Sequence, residues 1–199
     1  MVLARVPTAA LPLALLLLGP AVAPAVASVV VAQSIESMAR EARTVVRGTV
    51  RASSSAWDDA HRRIHTYSEV EVREVWAGGA PETLVVRTLG GVVGDVGQRV
   101  DGVARLSPGE DVVLFLRADP KDAELFSVIG LSQGKLRVEP RGDGPVAIPS
   151  HRGLVLARPG PDGRWTAEAA SDPSSLPLEE LRARVRAARV DGAAPSVPR

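Results

Sequence analysis

The stretch TVVRGTVRASSSAWDDAHRRIHTYSEVEVREVW, residues 44–76, decides the fold class. Two runs of period two, residues 44–52 and 64–76, flank a polar connection. In the first run Val46, Gly48 and Val50 alternate with Arg47, Thr49 and Arg51, so one face is apolar and the other polar. In the second, Ile64, Thr66, Ser68, Val70 and Val72 share a face, and His65, Tyr67, Glu69, Glu71 and Arg73 share the opposite one. β-Branched residues fill both runs, as a half-buried pleated surface favours. Alternation breaks at Val75 and Trp76, which predicts a bulge that re-phases the strand. Gly48 inside a strand predicts a bend or a close backbone approach.

Further strands follow in both directions of the argument. Residues 82–89 read as a third strand with apolar groups on both faces, hence central. The glycine-rich segment 90–97 precedes extended residues rather than a helix and lacks a Lys-Ser/Thr, so it reads as a bulged hairpin and not a phosphate cradle. Ser107-Pro108-Gly109-Glu110 matches type II turn chemistry. Behind it, Val112-Val113-Leu114-Phe115-Leu116 is the most continuous apolar run beyond residue 27, and is expected at the centre of the core. Residues 125–131 and 135–138 read as a hairpin, and 146–148 and 153–157 as short edge strands.

Two helices are expected. Ser34 is a fitting N-cap, with Ile35, Met38 and Ala42 on one face behind it. Near the other end, Leu178, Leu181, Val185 and Ala188 mark one face of a helix over residues 176–190, with Pro177 at its first position. Glutamates at its start and arginines towards its end agree with the helix dipole. Both read as helices that pack on the sheet; the second has partner docking as its alternative.

Residues 1–27 read as a signal peptide: Arg5, an apolar run at 11–18, and Ala25-Val26-Ala27 before Ser28. The run is shorter than the ~20 apolar residues a membrane span needs, so export without a stable span is expected. The remaining organisation reads as a β domain over residues 28–165, a linker at 166–175, the helix at 176–190 and a disordered tail at 191–199.

Composition excludes several function classes. Lys+Arg is 24 against Asp+Glu 23, and aromatics are 3%, which leaves neither the basic excess nor the stacking platforms of a nucleic-acid binder. With no cysteine, a thiol nucleophile, thiolate metal site, redox pair and disulfide framework are all excluded. No G-x-S-x-G, zinc motif, P-loop or dinucleotide fingerprint is present. No catalytic, metal-ligating or cofactor-binding residue is assigned, and the chain reads as a non-enzyme.

The connection between the two founding strands is the candidate contact surface. Trp57, Asp58, Asp59, Arg62 and Arg63 place an aromatic, two carboxylates and two guanidinium groups on a loop carried by a rigid hairpin. Asp58, Asp59 and His61 supply metal-binding atoms but in no recognised spacing, and His61 and His65 lack the helical register that makes an i, i+4 pair chelate. The plain alternative is a wet hairpin connection carrying weak Asp–Arg pairs.

Residues 41–50, 70–78 and 107–116, in that order behind a short helix, resemble the netrin-like module. That module includes the tissue inhibitors of metalloproteinases and their cysteine-poor bacterial relatives. The resemblance covers roughly residues 34–138 and implies a five-stranded OB-type barrel. The inhibitors chelate the protease zinc through an N-terminal cysteine, and this chain has none, so no inhibitory residue is carried over. The expectation is a mainly β, OB-like small barrel with added hairpins and two helices, serving as an exported protein-binding module. An extracytoplasmic protease is one candidate partner. Oligosaccharide or envelope binding is a second reading. A hydrolase with a spatially assembled carboxylate site, using Asp58, Asp59 and Glu69, is a third.

Overall fold

A computed structural model describes residues 28–120, 122–151, 154–169 and 174–191. The expected signal peptide at 1–27 lies outside them, as do residues 192–199 of the expected tail. Among the described residues the chain is mainly β, with two helices. Its elements are β1 (Ser28–Val31), α1 (Ile35–Glu41), β2 (Thr44–Trp57), β3 (Ile64–Ala77), β4 (Thr83–Leu89), β5 (Gly91–Val93), β6 (Val96–Gln98), β7 (Asp111–Ala118), β8 (Leu125–Val128), β9 (Lys135–Glu139), β10 (Val146–Pro149), β11 (Leu154–Pro159), β12 (Trp165–Ala169), β13 (Leu176–Pro177) and α2 (Leu178–Asp191).

The main sheet runs β13-β10-β9-β7-β2-β3-β4-β8, and β8 also pairs with β7. Pairing can therefore be followed from β7 through β2, β3, β4 and β8 back to β7. All these neighbours are antiparallel except β4 and β8, which are parallel through Val85↔Leu125 and Val86↔Phe126. A smaller sheet, β1-β11-β12, and the β5–β6 hairpin complete the described strands.

Both faces of the main sheet are covered at β7, which explains why the expected apolar run is continuous. Val112, Val113, Leu114, Phe115 and Leu116 each have no exposed surface. Val112, Leu114 and Leu116 join Val46, Val50, Val70, Leu84, Val86 and Phe126 in one core. Val113 and Phe115 point the other way, into a second core with Val45, Trp76, Met38, Leu181 and Val185. That second core is roofed by the helices. Ser34 caps α1 by accepting the Ser37 amide at 3.1 Å. All four residues of the expected α2 stripe, Leu178, Leu181, Val185 and Ala188, are buried there. Arg184 donates to Glu36 at 2.7 Å, tying α2 to α1. That hydrogen bond holds the Glu36 carboxyl below its ordinary value, ahead of the opposing effect of burial.

The bulge lies where alternation fails. The β2–β3 register shifts between Arg47 and Gly48 and between Val45 and Val46, leaving Arg73 and Trp76 without direct partners. One extra residue after Val72 moves Trp76 to the face opposite Val70, which its even spacing would otherwise forbid. Gly48 sits at that shift: a Cβ there would lie 2.4 Å from the Glu71 carbonyl oxygen. Gly109, with φ of 88°, occupies the third position of the Ser107–Glu110 turn, whose closing bond is 3.1 Å.

Five expectations are corrected. β2 extends through Ser53-Ser54-Ser55 to Trp57, because hydroxyls on the facing strand satisfy this polar row: Ser53 Oγ meets Ser68 Oγ, and Ser55 Oγ meets Thr66 Oγ1, both at 2.9 Å. β8 and β9 do not form a hairpin with each other. Both pair with β7, at Leu116–Ala118 and Val112–Leu114, and the turn between them bonds to Phe115. β10 and β11 are not edges, since each has strand neighbours on both sides. Residues 166–169 of the expected linker pair with β11 as part of β12, and Leu176–Pro177, expected to open the last helix, pair with β10 as β13. No helix among the described residues is long and apolar enough to cross a membrane.

Candidate interaction surface

The five residues singled out by the sequence sit together at the tip of the β2–β3 hairpin, with different tasks. Trp57 ends β2 opposite Ile64. Its ring stacks on His61, with centroids 6.3 Å apart and planes 16° from parallel. His61 adopts φ of 52° to make the turn. Asp58 organises the tip. Its Oδ1 accepts the amides of Arg62 at 2.7 Å and Arg63 at 3.2 Å, and its own amide donates to the Arg63 carbonyl at 2.8 Å. The Arg62 amide, more than any other group, holds the Asp58 carboxyl below its ordinary value. Asp58 is thus a scaffold residue whose carboxylate already has partners. Asp59, Arg62 and Arg63 are exposed, and among the described residues no ion pair holds them. Among the described residues the Asp–Arg attraction at the tip is the Coulombic pull of Arg62 on Asp58, which adds to the amide bonds.

The backbone beneath the tip carries a feature that side-chain patterns do not reveal. β2 pairs with β3 along its whole length, to Trp57↔Ile64. On its other side it pairs with β7 only from Thr44 to Thr49, and the last backbone bonds there join Val50 to Glu110 and Gly109. From Arg51 to Trp57 that side has no hydrogen-bonded strand neighbour among the described residues, although β5 lies close to Ser55, where a Cβ on Gly91 would come within 2.3 Å of its Oγ. Ser53 Oγ donates to the Leu106 carbonyl at 3.1 Å, which fastens a loop near its start. Ala52, Ser54 and Ala56 are exposed beside this edge.

The outward row of β3 and β4 forms a second surface. His65 stands beside Leu89, and Tyr67 beside Arg87. Arg87 pairs with the carboxylate of Asp119, itself buried, in the β7–β8 connection. Burial first, and then Arg87, pushes the His65 imidazole below its ordinary value. His65 and Tyr67 were legible as the polar row of the second run; Arg87 and Asp119 were not, because only the folded sheet brings them there.

The carboxylates of the hydrolase reading are not brought together. Glu69 faces Ala52, six residues before Asp58 along β2, which is about 20 Å of extended strand. Paired glycosidase carboxylates stand within about 10 Å of each other. Among the described residues no three His, Asp or Glu side chains gather to hold a metal ion. No family model matches the chain, and no curated protein matches its sequence.

Proposed function

We propose that this chain is an exported OB-type barrel that acts without catalysis, by binding an extended segment of a partner protein along the open edge of β2. The barrel reading is supported by the pairing circuit β7-β2-β3-β4-β8-β7 with its parallel β4–β8 step, and by the core enclosed within it. Export rests on the pattern of residues 1–27. The observation that carries the binding reading is the one-sided pairing of β2 beyond Val50. An unpaired edge presents alternate N–H and C=O groups that a peptide strand can satisfy, while side-chain pockets add specificity. Trp57 and the exposed Arg62 and Arg63 lie at the end of that edge, and Trp and Arg are the residue types that most often anchor interfaces. The netrin-like resemblance makes an extracytoplasmic protease one such partner.

The test is selection of random linear peptides displayed on phage against the full chain. Enriched peptides should slow amide exchange in residues 52–57, and Trp57→Ala and Arg62→Ala should each weaken them by about tenfold. Protection confined to other strands, or binding indifferent to both substitutions, overturns the reading.

A second reading is favoured by Tyr67 and Arg87 on the outward row of β3 and β4. This is the face on which OB-type barrels take oligosaccharides. Protection of residues 65–69 by neutral oligosaccharides would select it instead.

A further inference from the structure

One cavity lies behind the 105–110 loop, which bonds to Val50 and Ser53 of β2. It measures about 720 Å³ and lies between the 99–110 segment and residues 132–150. Four cations line it: Arg99, Arg105, Lys135 and Arg137. Three have carboxylate partners. Lys135 Nζ donates to Glu110 at 2.7 Å, Arg99 to Asp101 at 2.9 Å, and Arg137 to Glu139 at 2.7 Å. Arg105 has none among the described residues.

Ser132 also lines this space. It is 3% exposed, and among the described residues its Oγ has no hydrogen-bond partner. A buried hydroxyl without a partner costs about 1–3 kcal/mol, so a group that it can donate to would be held there at a gain. Its backbone is fixed, because the Ser132 amide donates to the Gly102 carbonyl at 2.9 Å.

A second hollow of about 450 Å³ adjoins the first, with Arg99, Val100, Val103 and Arg105 in both linings. Its other walls include Leu89, Val92, Ala104 and Leu106. Val92, on the β5–β6 hairpin, is 67% exposed. Charge and shape thus change along one path, from a cationic end with an orphan hydroxyl to an apolar end.

We propose that this path binds an amphipathic carboxylate, with its head at Arg105 and Ser132 and its alkyl chain along Leu89, Val92 and Leu106. One uncompensated guanidinium suits a monoanion; a phosphate dianion would meet Glu110 and Asp101 with its second charge. The apolar extension would give affinity that a bare carboxylate lacks.

The test is a titration of the full chain with decanoate, below its micelle concentration and at neutral pH, followed by amide chemical shifts. Saturable shifts should appear at residues 99–106 and 132–135 and around Val92. Acetate should bind at least about a hundredfold more weakly, for want of buried methylenes. Decanol should bind about tenfold more weakly, for want of a charge-assisted bond. Arg105→Gln, a substitution of an exposed side chain, should weaken decanoate about tenfold, with Ser132→Ala a few-fold, each with an otherwise unchanged spectrum. Absence of saturation, equal binding of decanol and decanoate, or decanoate shifts confined to residues 52–57 overturns the proposal.

Discussion

Replacing Gly48 by alanine adds one methyl group at the place where β2 and β3 change register. The new Cβ would lie 2.4 Å from the Glu71 carbonyl oxygen and 2.8 Å from Val70 Cγ1. The first of these is backbone, so relief requires β3 to move away from β2, and the β2–β3 ladder resists at Thr49↔Glu71 and Val50↔Val70. Overpacking of this kind costs roughly 1–3 kcal/mol. Alanine also stiffens the unfolded chain, which returns about 0.4–1 kcal/mol where the native conformation tolerates it. The clash outweighs that gain, and a net loss of about 1–2 kcal/mol is expected. In urea, with a slope near 1–3 kcal/mol per molar, the midpoint should fall by roughly 0.5–1 M. Gly142 is the internal control, since a Cβ there meets nothing within 4 Å. Gly142→Ala should leave the midpoint unchanged or raise it slightly. Equal midpoints for the two variants would refute the close strand approach and the bulge built on it.

Further outcomes follow from the packing and the charges. Leu181→Ala empties a site with no exposed surface between α2 and the sheet, and should cost about 2–5 kcal/mol in urea unfolding; a loss under about 1 kcal/mol would mean that α2 does not dock. Glu110→Gln leaves the buried Lys135 ammonium without its carboxylate and should destabilise more than Lys135→Met, which removes the charge itself. The reverse order would contradict the pair. Glu36 has a lowered pKa in the folded chain, so the stability it brings is full above the ordinary glutamate value and is lost as pH falls through the lowered one. The midpoint gap between wild type and Glu36→Gln should therefore close in acid; a gap that widens there would exclude the Arg184 bond. Trp57→Ala should leave the urea midpoint within roughly 0.3 M, because Trp57 is stacked only on an exposed histidine at the hairpin tip.

Much of the frame was legible because period and burial speak the same language in a sheet. Val112–Leu116, the α2 stripe and Gly48 each announce a packing role through local pattern alone. The failures have one common cause: pairing partners distant in sequence. Ser53, Ser54 and Ser55 resemble a loop until the hydroxyls of Ser68 and Thr66 are across from two of them. β8 and β9 resemble a hairpin because they are adjacent in sequence, whereas β7 offers one edge to both. At the site, the loop residues 57–63 were visible as a conspicuous composition, but the division of labour was not. Nothing in the order Trp-Asp-Asp says that Asp58 is spent on the Arg62 and Arg63 amides. The unpaired side of β2 and the cavity around Ser132 are products of topology, assembled from segments as far apart as residues 99 and 150.

Residue-resolved amide exchange along β2 in the free protein tests the central claim, that this strand is enclosed on both sides up to Val50 and open on one side beyond it. The amides of residues 45–50 should all exchange slowly, and those of residues 52–57 should alternate between slow and fast. Uniformly slow exchange out to Trp57 would mean that the edge is already occupied, and uniformly fast exchange over 45–50 would mean that β7 is not its neighbour.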